Sequence, residues 1–330
     1  MTMSGEGPKA ASATRPVGRV PDFFIVGHHK SGTTAMYEML RGHAQIFMPQ
    51  MKEPEFFGRD LARRQELARD SSRQTFGGTR PSSYVEYLAL FDTAKPEQKV
   101  GEASPSYLRS HTAASQIAEA QPAARIIAIL REPASFLRSL HLQMVRNHVQ
   151  SELDFGKAVL GEGVAGDGNR VSQYTDRVRY VEQLSRYGSV FPSEQVLVLI
   201  YDDFRADNET TVRTVLRFLD VDPDAPIADV DANPTVAPRS GTLDRWAHGV
   251  RTGRGPLARG MKASFRALTP PRMRRGAVRT LQRNVIYRSA PPPDEAVTLE
   301  LRRRFKPEVV ALSEYLDRDL VRLWGYDELG

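Results

Sequence analysis

The chain has 330 residues, of which 40% are hydrophobic and 26% charged; that make-up suits a globular protein able to bury a sizeable core and excludes a disordered or fibrous chain. With no cysteine, a disulfide framework, a thiolate metal site, an iron–sulfur cluster and a cysteine nucleophile are excluded together. The net charge of +6 is unevenly spread: residues 239–288 carry 13 Lys or Arg against one acid, Asp244, so that segment alone is +12 and the remainder −6, which points to a local anionic partner and not to nucleic-acid binding by the whole chain.

Residues 1–20 are rich in Gly, Ser, Ala, Thr and Pro and read as a disordered tail without chemistry, so a single domain is expected over residues 21–330. The start Met1–Gly7 lacks the apolar core of a signal peptide, and no window approaches 18 consecutive apolar residues. A cytoplasmic location without a transmembrane segment is therefore expected. The 38 Arg against eight Lys suit a GC-rich bacterial gene.

Phe23–Val26 is a continuous apolar run of the kind buried in a parallel sheet, and it ends in Gly27 before a polar, glycine-containing turn. An amphipathic helix is predicted from Thr33 or Thr34 through Met36, Met39 and Leu40 to a stop at Gly42. Arg125–Leu130 reads as a second buried strand, with Pro133 just inside a helix that runs from Ala134 to about His148. The glycine-rich run Leu160–Gly168 predicts a surface loop near the functional site. Gln195–Ile200 is a third strand, followed by a helix near Glu209–Leu219. Leu257, Met261, Phe265 and Leu268 recur at helical spacing, so the basic segment reads as mostly helical, and a closing helix is predicted over Val297–Trp324. Strands alternating with helices predict an α/β protein: a P-loop-like three-layer fold with a central, mostly parallel sheet flanked by helices.

Gly27-His28-His29-Lys30-Ser31-Gly32-Thr33-Thr34 nearly fits the nucleotide-binding pattern G-x-x-x-x-G-K-[ST], but Thr33 stands where the Lys belongs and the only Lys, Lys30, is inside the loop. The loop still offers an anion its backbone N–H groups, the hydroxyls of Ser31, Thr33 and Thr34, and the positive end of a helix. That suits a 5′-phosphate with one transferable group better than a triphosphate with a metal. A competing signal is Tyr201-Asp202-Asp203 after the third strand, where an Asp can hold magnesium in a kinase or cap the next segment. Arg131 ends the second strand and Ser139 lies two turns into the next helix, so both can line one edge of a nucleotide site.

Lys30 to Thr34, residue by residue, and Arg131 with Ser139 eight positions on, make the chain resemble the sulfotransferases that use 3′-phosphoadenosine-5′-phosphosulfate (PAPS), over residues 21–326 and closest to the carbohydrate and bacterial branch. The resemblance implies a PAPS-dependent O-sulfotransferase. It places Lys30, Ser31, Gly32, Thr33 and Thr34 at the 5′-phosphosulfate, with Lys30 stabilising the leaving group, and Arg131 and Ser139 at the 3′-phosphate. Asn233–Gly241 resembles the family loop that closes over the nucleotide, which makes Arg239 a second cation for that phosphate. Met51-Lys52-Glu53-Pro54-Glu55-Phe56-Phe57 resembles the stretch that carries the general base, implying Glu53. Alternatively, Glu53 caps a turn before Pro54 while Phe56 and Phe57 are core. Glu55, His28 and His29 are rivals, since the cytosolic branch uses His. Gly101–Leu108 resembles a stretch bordering the acceptor, with Ala103 where glycosaminoglycan-modifying members often have Lys. The implied acceptor is a hydroxyl-bearing small molecule or carbohydrate: a sugar, a glycosylated natural product or a lipid. The basic segment 239–288, placed near the acceptor and nucleotide cleft, favours an anionic or lipid-linked one. The implied reaction is in-line transfer with no metal; a P-loop small-molecule kinase using ATP and Mg is the alternative.

Overall fold

The computed structural model describes residues 18–61, 74–75, 78–147, 149–161, 174–228, 236–238, 287–289 and 294–329. Most of the expected tail, the glycine-rich run beyond Gly161, Arg239 and all but the last two residues of the basic segment 239–288 lie outside the described residues.

The strands are β1 (Phe23–Gly27), β2 (Ile46–Phe47), β3 (Gln74–Thr75), β4 (Gly78–Thr79), β5 (Lys99–Ala103), β6 (Arg125–Leu130), β7 (Val196–Ile200), β8 (Val236–Pro238) and β9 (Tyr287–Ser289). Five of them form one sheet in the order β2-β5-β1-β6-β7, and every neighbouring pair is parallel. β3 with β4 and β8 with β9 form two small antiparallel pairs outside it. Helices α1 (Thr33–Arg41), α2 (Tyr84–Leu88), α3 (Ala113–Ala120), α4 (Pro133–Arg146), α5 (Phe155–Leu160), α6 (Tyr180–Gly188), α7 (Tyr201–Ala206), α8 (Asn208–Phe218), α9 (Glu295–Tyr315) and α10 (Leu320–Leu323) complete the described elements.

Side chains alternate across the strands, so each strand feeds two cores. Phe24, Val26, Ile126, Ala128 and Leu130 pack on one face with residues of α4, α6 and α9. Phe23, Ile25, Ile127 and Ile129 pack on the other with α1 and α8. This is the expected three-layer arrangement, and strands covered on both faces explain the uninterrupted apolar runs. The chain places β5 on one side of β1 and β6 on the other, which opens a crevice beyond the carboxyl ends of these strands. β1 and β6 approach closely there: a Cβ on Gly27, whose φ is 137°, would lie 2.4 Å from the carbonyl oxygen of Ile129.

Two expectations need correction. The closing helix is not continuous: α9 ends at Tyr315, Asp317 turns left-handed (φ 48°), and α10 begins after the Ser313 hydroxyl accepts from the Leu320 N–H. Apolar spacing carries across that break, so periodicity alone does not reveal it. Asp202 and Asp203 do not cap α7, which starts without a side-chain cap. Trp324 donates its indole N–H to Asp202 (3.0 Å), and Arg318 forks onto both oxygens of Asp203 at 2.6 and 2.8 Å. The carboxylates that could have suggested a magnesium site instead fasten the C-terminal helices to the end of β7.

Glu132 makes a second fastening. Its carboxylate accepts from the N–H groups of Ala134 and Ser135 at the start of α4 and from the Tyr326 hydroxyl at 2.8 Å. Tyr326→Phe removes that donor from a buried carboxylate and is expected to cost about 1.5–3 kcal/mol. Urea unfolding reads this as a lowered midpoint at an unchanged slope; an unchanged midpoint would contradict the fastening role.

Candidate active site

The turn after β1 is held by backbone contacts. The His28 N–H donates to Ile129 O (3.1 Å) and the Ser31 N–H to His28 O (3.3 Å). Lys30 (φ 68°) and Gly32 (φ 83°) are both left-handed, a conformation that is costly for Lys and open to Gly. At Gly32 a side chain would also press on the Phe204 ring of α7, 2.7 Å from its Cβ. No side chain caps α1, so the first-turn N–H groups remain available to an anion. Ser31 is fully buried and its Oγ has no hydrogen-bond partner. Thr33 is buried and Thr34 exposed.

Arg131 follows β6 and joins this loop directly. Its Nη1 donates to Lys30 O (2.8 Å), its guanidinium lies 4.7 Å over the Tyr201 ring, and Tyr180 donates to its carbonyl (2.9 Å). Ser139, two turns into α4, is buried with an unpartnered Oγ. Burial holds the Lys30 ammonium below its ordinary range, and the nearby cations Arg146 and Arg131 lower it further. Two orphaned hydroxyls, an uncapped helix and a partly buried lysine next to other cations are the features of a site built for an anion with more than one charged group.

The opposite wall is the turn Lys52–Phe57, which β5 and the residues after it hold in place. The Glu53 N–H donates to Ala103 O (3.0 Å), the Glu55 N–H to Ser104 Oγ (3.2 Å) and the Phe57 N–H to Tyr107 Oη (3.2 Å). Glu53 and Glu55 both have positive φ, 62° and 52°, strain of the kind that persists where the surroundings over-determine it. Glu53 pairs with Lys52 Nζ at 2.6 Å and keeps 29% of its side chain exposed, enough for a ligand to reach it. Burial pushes the Glu53 carboxyl up, but His29, Lys52 and Arg80 outweigh this and hold it below its usual value. Glu55 is occupied by Arg80 at 2.8 Å and by the Ser106 hydroxyl at 3.1 Å. Phe57 belongs to the core, with Phe56 packed against it. The Glu53 carboxylate is paired with Lys52, and its aromatic neighbours are structural.

The two histidines separate clearly. His28 lies between the rings of Phe136 and Tyr180, with centroids at 4.5 and 4.4 Å. Its Nε2 donates to Gln183 Oε1 (3.3 Å), whose amide is fixed by the carbonyls of Asp176 and Arg177. Burial lowers it to about 3, and its buried Nδ1 has no hydrogen-bond partner. His29 is partly exposed, close to Glu53, and lowered by burial to about 4. The Ala103 side chain, in the stretch expected to border the acceptor, belongs to the second core; the side chains of that stretch that reach the turn are Ser104, Ser106 and Tyr107.

A scan against protein-family models matches residues 21–225 to the sulfotransferase family. The chain belongs to the sulfotransferase family. It is 27% identical to human carbohydrate sulfotransferase 15, over 62% of this chain and 44% of that one. It is 26% identical to mouse bifunctional heparan sulfate N-deacetylase/N-sulfotransferase 4, over 62% of this chain and 23% of that one. The chain therefore spans less than half the length of these curated relatives. A sulfotransferase from Alicyclobacillus acidocaldarius shares the fold, with a TM-score of 0.61 at 24% identity over 92% of this chain and 98% of that one. In the present chain no described helix is long and apolar enough to cross a membrane.

Sequence reasoning passed over Glu102. It is fully buried, its Oε2 accepts from Tyr87 (2.7 Å) and Tyr107 (3.2 Å), and its Oε1 has no partner although Ser104 is nearby. A Glu inside a strand reads as an edge position, which hides the signal. Burial pushes Glu102 up to about 7, above the ordinary carboxyl value of about 4.3. The folded state then holds the proton more tightly, so the stability Glu102 contributes is fully present below about pH 4.3 and is lost as pH rises towards 7. Relative to the parent, Glu102→Gln is expected to gain on the order of 1–3 kcal/mol between pH 4.5 and 7.5. Paired urea titrations at the two pH values measure the gap, and a pH-independent gap would refute the assignment.

Proposed function

We propose that this chain transfers the sulfuryl group of PAPS to an acceptor hydroxyl, with Glu53 as general base and Lys30 at the leaving oxygen. The observation that carries the reading is the pairing of an anion site, built from orphaned Ser31 and Ser139 hydroxyls with Lys30 and Arg131, and a strained, reachable carboxylate on the facing turn. The loop Lys30–Thr34 would hold the 5′-phosphosulfate, and Arg131 with Ser139 the 3′-phosphate; Arg239 is a further candidate at that phosphate.

Glu53 stays ionised at neutral pH and can accept a proton, a role worth about 10²–10⁴ in rate. It would take the acceptor hydroxyl's proton while that oxygen bonds to sulfur and the bond from sulfur to the 5′-phosphate oxygen breaks. Lys30 would meet the charge that develops on the departing oxygen. The names of the relatives support a carbohydrate acceptor. The basic segment 239–288 would favour an anionic or lipid-linked acceptor.

Calorimetric titration tests the donor. Adenosine 3′,5′-bisphosphate (PAP) is expected to bind at least about tenfold more tightly than 5′-AMP, because only it engages Arg131 and Ser139. Equal affinities would remove the 3′-phosphate assignment. Glu53→Gln keeps the side-chain shape and removes the proton acceptor. Turnover should fall by about 10² or more with PAP affinity held; near-normal turnover would move the base elsewhere.

A further inference from the structure

Lys52 and Glu53 are neighbours in sequence whose side chains meet. In extended backbone adjacent side chains point to opposite faces; here Glu53 is left-handed (φ 62°), and Lys52 Nζ donates to Glu53 Oε1 at 2.6 Å. The Lys52 side chain is only 11% exposed, a degree of burial that Lys reaches as a rule only when paired. Nothing else among the described residues accepts from Lys52. The turn is fastened without it, by Ala103 O, Ser104 Oγ and Tyr107 Oη. The other charged or titratable groups that act on Glu53 are His29 on the loop after β1, Arg80 after β4 and Glu55 on the same turn, with Arg109 and Arg177 acting on His29. Arg80 is paired with Glu55, so among the described residues Lys52 makes the one direct ion pair with Glu53.

An unpaired Glu carboxylate turns readily about its last torsion, and either oxygen can then meet a ligand. A charge-assisted bond on Oε1 removes that freedom and leaves Oε2, which accepts from no described residue. We propose that Lys52 is a positioning residue for the transfer: by holding Oε1 it fixes the Glu53 carboxylate so that Oε2 takes the acceptor's proton. The same cation opposes protonation of Glu53 before the acceptor arrives. The proposal rests on the reading of Glu53 as general base and assigns a role to a residue whose contacts do not hold the turn together.

Two measurements on the full chain test it, and neither needs the natural acceptor. The first follows the carboxyl-carbon NMR signal of Glu53 in glutamate-labelled protein, assigned by its absence in Glu53→Gln. In Lys52→Met the titration midpoint of that carboxyl should rise by about one pH unit or more, and in Lys52→Arg it should return towards the parent's. The second follows PAPS hydrolysis, in which water stands in for the acceptor. Its oxygen bonds to sulfur, the bond from sulfur to the 5′-phosphate oxygen breaks, the proton goes to Glu53, and PAP and sulfate are released. On the high-pH plateau, where Glu53 is ionised in every variant, Lys52→Met should be slower by about tenfold, and Lys52→Arg should recover most of that loss. PAP affinity should stay within about threefold of the parent's in both. An unmoved midpoint in Lys52→Met overturns the ion pair. A midpoint that moves while plateau hydrolysis keeps the parent's rate overturns the positioning role. A large loss of PAP affinity at an unchanged melting temperature places Lys52 on the donor and also overturns it; should Lys52→Met melt early, Lys52→Gln takes its place. Hydrolysis that is absent from the parent, or equally fast in Glu53→Gln, while the midpoint moves as expected refutes Glu53 as the base and the proposal with it, an outcome distinct from the others.

Discussion

Positive charge held at the carboxyl edge of the sheet, with no carboxylate among the described residues paired to Lys30, is the constraint around which the site is built. Such charge is costly to confine, and the surrounding structure holds it in three ways. Backbone contacts between β1 and β6 hold the start of the loop that carries Lys30, and at Gly27 the two strands approach too closely for a side chain. Arg131 is tied to the same loop through the Lys30 carbonyl. Glu132 seats the start of α4 and accepts from Tyr326, so the C-terminal residues steady the helix that presents Ser139.

The facing turn is held with equal care. Three backbone N–H groups of residues 53–57 are satisfied by β5 and by the residues that follow it, and Glu102 anchors Tyr107 from below. Positive φ at Glu53 and Glu55 costs of order 1–3 kcal/mol each, and these contacts are what sustain it. The outcome is one carboxylate, Glu53, that keeps an accessible surface, while its neighbour Glu55 is committed to Arg80 and Ser106. Two acids with the same local sequence context thus take different roles because of what they touch.

The parts legible in the sequence are those whose signal is local. β1, β6 and β7 are apolar on both faces and read directly, and Pro133 and Gly42 mark helix ends where they are found. The phosphate loop and the Arg131–Ser139 pair are legible because their spacing is set by the strand and helix that carry them. β2 is only two residues long and β5 contains Gly101 and Glu102, so neither shows an apolar run. The break after Tyr315 depends on a left-handed Asp317 and a Ser313 contact, and the fates of Asp202 and Asp203 depend on Arg318 and Trp324, more than 110 residues away.

The central claim is that the Lys30 charge acts on the oxygen that departs during transfer. The direct measurement is the single-turnover rate of sulfuryl transfer from PAPS in Lys30→Met, alongside its affinity for PAP. A rate lowered by about 10²–10³ with PAP affinity changed only a fewfold is the predicted result. A normal rate, or a loss confined to PAP affinity, would contradict it.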